Sequence, residues 1–451
     1  MKIRTLNVHT YLQFNDFNLD LTYPKGHQKE GLPLDKVCFI GQSGTGKTSL
    51  LRLVKAFVSQ GFIGKHLLSP VMKKIKAQLF CSDTLTFEKP DRYFKIENGK
   101  IEQLGTSFLQ KDLTKYYDNA NVFVSFPAEM NVDLPSIFRE KKQKGGFSTE
   151  TNEKITPSVL DVKKLDLKYF DFEQNNIEAV WNLILDDIQK YKIAQLSYTN
   201  ELTNKLNNGA IKAGTLLHDF QNWKSSNPNP LEDLAAKLNP LLNRFNLEIK
   251  PEFDFKSADD LRFIQILQKD SNREIPNGFW STGTKQLIMT AIPLLKLNTD
   301  KTIIMIDEPE RSFYPDIQRD LMGFYQHLAP NAQFFIATHS PIIAASFDPW
   351  EIIELKFDEK GNVVQESYYE GERHIDNFKI HPKYLRWDAV LTRLFDLKQD
   401  GMPERQTKLE ELAELDVKLR RMKKANGSAN PAEAKMGFAP IPKCNYAPLS
   451  I

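Results

Sequence analysis

Gly41, Gln42, Ser43, Gly44, Thr45, Gly46, Lys47, Thr48 and Ser49 form a run whose chemistry follows from residue type and spacing. Gly41, Gly46, Lys47 and Thr48 satisfy G-x-x-x-x-G-K-[ST], with Gly44 as a third glycine. A phosphate chain is bound by backbone N–H groups turned inward, which requires a loop where no Cβ blocks the approach. It gains further from the positive end of a following helix. Lys47 is expected to reach the β- and γ-phosphates of a nucleotide, and the Thr48 hydroxyl is an oxygen ligand of the kind Mg²⁺ prefers. Far downstream, the apolar run Thr302 to Ile306 ends in Asp307-Glu308. At the carboxyl end of a parallel strand, Asp307 is suited to hold Mg²⁺ and its waters, and Glu308 to orient and polarise an attacking water.

Two further stretches complete the candidate chemistry. Ser281-Thr282-Gly283-Thr284-Lys285-Gln286 precedes the apolar helical run LIMTAIPLLKL. A serine hydroxyl and glycine N–H groups at a helix start form an anion site by the same physics as the glycine-rich loop. The apolar strand Phe334 to Ala337 ends at Thr338-His339-Ser340, which places a titratable histidine at a strand end.

These groups have to be positioned by strands and helices that the periodicity predicts. Val37 to Ile40 supplies the strand before the glycine-rich loop, and a helix is expected over about 47–60. Residues 1–23 alternate as two strands, 78–87 and 92–104 read as strands with Asn98-Gly99 at a hairpin turn, and 121–127 as another. From 132 the chain turns polar and basic around Lys141, Lys142 and Lys144, which reads as a loop. A long helix follows, with Ile177, Val180, Trp181, Ile184, Ile188, Tyr191, Tyr198 and Leu202 on one face. A second helix is expected over 231–246, and strands near 246–253 and 262–269.

Composition bounds the rest. At 451 residues the chain exceeds one ordinary core, so two or three lobes are expected. A formal charge of +2 excludes a uniformly basic nucleic-acid coat, and any such contact must be a local patch. Cys38, Cys81 and Cys444 form no C-x-x-C pair, which suits a reducing compartment. With no secretory h-region and no run of about 18 apolar residues, the chain reads as cytoplasmic, with no membrane partner.

In the order glycine-rich loop, S-T-G-T-K-Q, Ile306-Asp307-Glu308, Glu308-Pro309-Glu310 with Phe313-Tyr314-Pro315, and Thr338-His339-Ser340, the motifs resemble those of ABC-type P-loop ATPases. Over residues 1 to about 356, the DEPERSFYP and ATHSP stretches look like those of the RecF and OLD-like group. The resemblance implies an α/β ABC-ATPase head: a mixed β-sheet core with the P-loop, flanking helices and an antiparallel β-layer, carrying a helical insertion lobe and a C-terminal helical extension. It implies ATP and Mg²⁺ as cofactors, with Thr48 and Asp307 on the metal and Lys47, Glu308 and His339 as catalytic residues. Ser281, Gly283 and Gln286 would form a signature that grips the γ-phosphate bound to a second subunit, so a homodimer or higher even oligomer is expected. The family's Q-loop glutamine has no counterpart in Phe126-Pro127-Ala128-Glu129-Met130-Asn131, where Glu129 or Asn131 would take its place.

The implied division is 1–131 and 275–356 for the ATPase domain, 132–274 for the insertion, and 357–451 for a hairpin, helix and tail. OLD-like nucleases carry a further metal domain with a D-x-D pair, and none occurs after His339. The chain therefore resembles the ATPase subunit of Septu-type antiphage systems, including retron-associated ones, which works with a separately encoded HNH-type nuclease and acts on nucleic acid through that complex. A RecF-like, ATP-gated DNA-repair protein without a nuclease and a nucleotide-gated scaffold with little hydrolysis are the alternatives. In the helix at about 404–424, Leu412, Leu415, Leu419 and Met422 form a two-heptad a/d seam, with acids early and Arg420, Arg421, Lys423 and Lys424 late. That seam either packs on its own domain or, with the rest of 404–451, docks the partner protein.

Overall fold

The apolar runs KVCFIG, IIMID and QFFIA become neighbouring parallel strands with every residue buried, as expected where a sheet is covered on both faces. The computed structural model describes residues 2–62, 84–89, 92–97, 100–103, 106–107, 123–130, 169–173, 186–210, 213–252, 264–297, 299–397 and 403–425. They fall into two units, Met1–Phe395 and Asp396–Ile451.

The chain opens with β1 (Lys2–Tyr11) and β2 (Phe14–Asp20), paired antiparallel with Tyr11 opposite Phe14. After β3 (Lys36–Gly41) and α1 (Lys47–Phe62), it adds β4 (Thr84–Lys89), β5 (Arg92–Glu97), β6 (Lys100–Gln103) and β7 (Thr106–Ser107) to the same layer. The order of this antiparallel sheet is β2-β1-β4-β5-β6-β7. Glu97 lies opposite Lys100 between β5 and β6; the turn residues expected there, Asn98-Gly99, lie outside the described residues.

β8 (Phe123–Phe126) and β9 (Tyr169–Asp171) then run parallel at one edge of the central sheet. The polar, basic stretch from 132 and the first part of the long helical stripe, Ile177 to Ile184, lie outside the described residues. The helix is described as α2 (Asp186–Asn207), on which Ile188, Tyr191 and Leu202 are buried. It is followed by α3 (Ala213–Ser226), which is not among the helices expected from the sequence although Leu216, Phe220 and Trp223 fall at i, i+4 and i+7. Trp223 of α3 stacks on Tyr198 at 5.3 Å and meets Tyr191 at 5.7 Å, so the aromatic stripe of α2 is covered by this helix. α4 (Pro230–Leu242) leads to a small sheet of β10 (Leu247–Ile249), β11 (Ile266–Gln268) and β12 (Arg273–Glu274). The two strands expected here are shorter than read from the sequence.

The chain returns to the central sheet through α5 (Thr282–Lys296), β13 (Ile303–Asp307), α6 (Pro315–Leu328), β14 (Gln333–Ala337) and α7 (Pro341–Ala344). The expected hairpin is β15 (Ile352–Phe357) and β16 (Val363–Glu366), and β15 does more than pair with β16. It lies parallel to β3, from Ile352 opposite Cys38 to Leu355 opposite Gly41. α8 (Trp387–Leu394) follows, and α9 (Pro403–Ala425) lies in the second unit.

The central sheet has the order β16-β15-β3-β14-β13-β8-β9, all parallel except the edge strand β16. Its residues alternate between two cores, the period-2 consequence of the pleat. Cys38, Ile40, Ile304, Ile306, Phe334 and Ile336 join α5 and α6 on one face. Val37, Phe39, Ile303, Met305 and Phe335 join α1 and the antiparallel layer on the other. The buried Gln333 ties the layers: its Oε1 accepts from the Ile3 N–H at 2.6 Å, and its Nε2 donates to the carbonyls of Ile3 and Leu34. The architecture is thus mixed α/β, with a parallel-dominated sheet between helices and an antiparallel layer. Among the described residues, no helix is long and apolar enough to cross a membrane.

Candidate active site

Parallel strands deliver their carboxyl ends to one side of the sheet, and ligands of open α/β sheets collect there. β3 ends in the glycine-rich loop, β13 in Asp307-Glu308 and β14 in Thr338-His339. The register aligns them: Asp307 is opposite Ala337, and Ala337 opposite Phe39. The next residues stay stitched, since the Glu308 N–H donates to the Ala337 carbonyl at 2.8 Å and the Thr338 N–H to that of Phe39 at 3.1 Å.

The loop itself needs its glycines. Gly46 has φ +88°, and a Cβ there would lie 2.1 Å from Gln13 Nε2 and 3.0 Å from Phe14 Cζ, both on the β1–β2 turn. Gly41 has φ +142°, and a Cβ there would lie 2.4 Å from the Leu355 carbonyl of β15. The Lys47 ammonium is buried and donates to the carbonyls of Gly41 at 2.8 Å and Gln42 at 3.0 Å, so it sits within the loop it belongs to. The Thr48 hydroxyl donates to Asp307 Oδ2 at 2.8 Å. This brings the last residues of the loop and the first acid of β13 together, as their types predict.

Buried charges of both signs converge on the site. Burial lowers the pKa of Lys47, opposed by the charges of Asp307, Glu308 and Glu310. Burial raises that of Asp307, opposed by the Thr48 hydrogen bond and reinforced by Glu308. Two oxygen donors side by side, a hydroxyl and a carboxylate, suit a hard cation such as Mg²⁺, which takes few protein ligands and completes its shell with water and phosphate oxygens. Glu308 is half-buried with φ +47°, a left-handed conformation uncommon for a non-glycine residue, and such residues concentrate at functional sites. His339 is exposed, and its backbone N–H donates to Glu310 Oε1 at 2.8 Å. Burial and the Lys47 charge depress the imidazole pKa, and Glu308 opposes them, so the ring is electrostatically coupled to both groups.

Ser281 caps α5: its Oγ accepts from the Thr284 N–H at 3.1 Å and lies 2.8 Å from Thr284 Oγ1. Trp280 before it is buried and donates to the Ile275 carbonyl, which fixes the approach. Gly283 is required by contact, since a Cβ would lie 2.6 Å from the Ser312 carbonyl. Ser281, Ser312 and Tyr314 line a cavity of about 740 Å³ that shares no lining residue with the glycine-rich loop. The expected phosphate contact Gln286 is buried, and its Nε2 has no hydrogen-bond partner. Of the two Q-loop candidates, Glu129 forms an ion pair with Arg311 in the segment after β13, and Asn131 lies outside the described residues.

Sequence reasoning missed Gln13, Phe14, Glu310 and the β15 support. Gln13 belongs to a turn more than thirty residues before Lys47, and only the fold sets its Nε2 3.4 Å from the Gly44 carbonyl. The Val363 N–H donates to the Gln13 carbonyl at 2.8 Å, and Asn15 bonds Asn362 at 2.5 Å, so the β15–β16 hairpin holds this turn in place. Glu310 was signalled only as part of D-E-P-E.

A family model described as AAA ATPase domain (AAA_15) matches residues 1–344. No curated protein matches the chain. Among solved structures, the chain is similar to an SMC head domain from Thermotoga maritima, at 12% identity and TM-score 0.40, covering 81% of this chain and 99% of that one. It is also similar to an SMC head bound to the C-winged helix domain of ScpA, at 12% identity and TM-score 0.41, covering 81% and 98%. A third is an SMC head with an extended coiled coil, bound to the C-terminal domain of ScpA derived from Pyrococcus furiosus, at 13% identity and TM-score 0.38, covering 81% and 96%.

Proposed function

The chain belongs to the AAA ATPase domain family, and from that premise we propose that it binds and hydrolyses ATP as an ABC-type ATPase. In this reading two chains close head to tail around two nucleotides and govern a separately encoded HNH-type nuclease in antiphage defence. The observation that carries the ATPase reading is the Thr48–Asp307 hydrogen bond, which unites the phosphate loop with the acidic strand end.

The residues divide the work by their chemistry. The loop N–H groups and Lys47 hold the phosphates; Lys47 exchanges its loop carbonyls for the β- and γ-oxygens. Thr48 and Asp307 would hold Mg²⁺, which would offset charge on the phosphates. Glu308 orients the attacking water and takes its proton, and His339 contacts the γ-phosphate. Ser281 and Gly283 at the start of α5 serve the nucleotide of the second chain. The nuclease and defence roles rest on the resemblance of the motifs to Septu-type subunits and on the lack of a D-x-D pair after His339. The cytoplasm is the compartment this implies.

Mixing two inactive chains tests the shared site. A Lys47→Ala chain and a Ser281→Arg chain each form homodimers with both sites damaged. Paired together, they place both lesions in one site and leave the other whole, so turnover should recover on mixing. No recovery, together with activity per chain independent of protein concentration, would mean that each chain works alone. Co-purification from the native operon tests the nuclease partner.

A further inference from the structure

We propose that α9 is a self-association helix that pairs antiparallel with α9 of a second copy of this chain, independently of nucleotide. Leu412, Leu415, Leu419 and Met422 are 60%, 53%, 50% and 62% exposed, and Leu409 and Val417 of the same helix are exposed too, while most large apolar residues among those described are buried. Their spacing is that of alternating a and d positions. A seam of this kind is stabilised by burial against a matching helix.

The charges beside the seam select the matching helix. In this register Glu411 and Lys418 hold g positions, and the sequence puts Asp416 and Lys423 at e. In a parallel pair each g residue faces the e residue of the partner's next heptad. Glu411 would then face Asp416, and Lys418 would face Lys423, so every pair is like-charged. In an antiparallel pair g faces g and e faces e, so Glu411 meets Lys418 and Asp416 meets Lys423, and every pair is opposite. Charges at e and g set partner choice and orientation in this way. The apolar layers close in the same register: Leu412 meets Met422 and Leu415 meets Leu419, each twice by symmetry. The helix dipole accounts for acids early and bases late, but not for their placement at e and g. Within one helix Glu411 pairs with Lys408 and Asp416 with Arg420, at 2.7 and 2.8 Å; these pairs are exposed and exchange readily for intermolecular ones. A two-heptad seam is weak alone, and it gains strength wherever two chains are already held by another contact.

The test uses the full chain without nucleotide, following mass by sedimentation over a concentration series. Reversible association is expected. Glu411→Lys should weaken it by about tenfold, because two symmetric attractions become repulsions, and Lys418→Glu should do the same. The double variant Glu411→Lys/Lys418→Glu should restore it, and an equimolar mixture of the two single variants should associate as the unaltered chain does. ATP binding, unchanged in all four chains, checks that they are folded. For orientation, a Leu412→Cys chain should form a disulfide with a Met422→Cys chain and not with itself. A chain that stays single at all concentrations, association indifferent to these charges, failure of the double variant to restore it, or a Leu412→Cys self-disulfide would each overturn the proposal. So would loss of a different co-purifying protein in the single variants with self-association unchanged, which would assign the seam to that partner.

Discussion

The Thr48 hydroxyl donates a 2.8 Å hydrogen bond to Asp307 Oδ2, joining residues 259 positions apart in the chain. That contact separates cation-dependent from cation-independent binding. Asp307→Asn keeps the shape and removes the charge, so affinity for ATP should fall by about tenfold or more with Mg²⁺ present and change little with a chelator present. Equilibrium titration under both conditions reads the difference, and an equal loss in both would remove Asp307 from the cation site.

If Asp307 holds the cation as proposed, it also makes this binding pH-dependent. Burial raises its pKa above the ordinary carboxylate value, so it takes up a proton at a higher pH than a solvated aspartate. Mg²⁺-dependent ATP affinity should therefore decline on acidification before exposed carboxylates titrate, and the decline should vanish in Asp307→Asn. A profile identical in the two proteins would assign it to another group.

Glu308→Gln removes the carboxylate to which the proposed function gives the water-orienting role and preserves a polar side chain of similar size. ATP should still bind while turnover falls by roughly 10²- to 10⁴-fold, the range for loss of a general base. Single-turnover hydrolysis with a parallel binding measurement separates the two steps. Turnover near that of the unaltered chain would move the role to His339.

Gly46→Ala and Gly41→Ala should both abolish nucleotide binding, but only one has a remedy. The Cβ at 46 meets a side-chain amide, Gln13 Nε2, whereas that at 41 meets the backbone carbonyl of Leu355. Gln13→Ala should therefore partly restore Gly46→Ala, limited by the residual cost of a left-handed alanine, and should do nothing for Gly41→Ala. Equal rescue of both would show that the clash is not with Gln13.

The parts that the sheet brings together could be read from local sequence, because each is a short run at a strand end: Gly41 to Thr48, Ile303 to Glu308 and Phe334 to His339. What escaped was long-range. Gln13 and Leu355 line the loop only because β1–β2 and β15 are brought beside β3, and no residue type announces that. The helix α3 was a local feature and was still passed over: Leu216, Phe220 and Trp223 mark one face at i, i+4 and i+7 within an otherwise polar run. The Gln286 amide was expected to face a ligand and is buried, because α5 is buried on every face from Gln286 to Leu294.

Glu351 offers a stability measurement away from the site. Buried beside Lys36 and capping the turn at Asp348, it is pushed up to about 7. Unfolded, it returns to the ordinary carboxylate value, so between that value and about 7 the folded chain holds more protons than the unfolded one. Stability contributed by this group is full below the window and is lost as pH rises through it. Glu351→Gln should flatten the fall in denaturation midpoint across the window, and an unchanged slope would place the titration elsewhere.

The place of β15 in the central sheet has a practical meaning for cutting the chain. The family match ends at 344, but the sheet does not: β3 bonds to a strand that begins at Ile352. A fragment stopped at 344 would keep every motif residue and leave one flank of its phosphate-loop strand as a bare row of N–H and C=O groups. Such an open edge recruits other strands, so the fragment should precipitate or form amyloid-like pairings where the chain carried on through β16 stays dissolved.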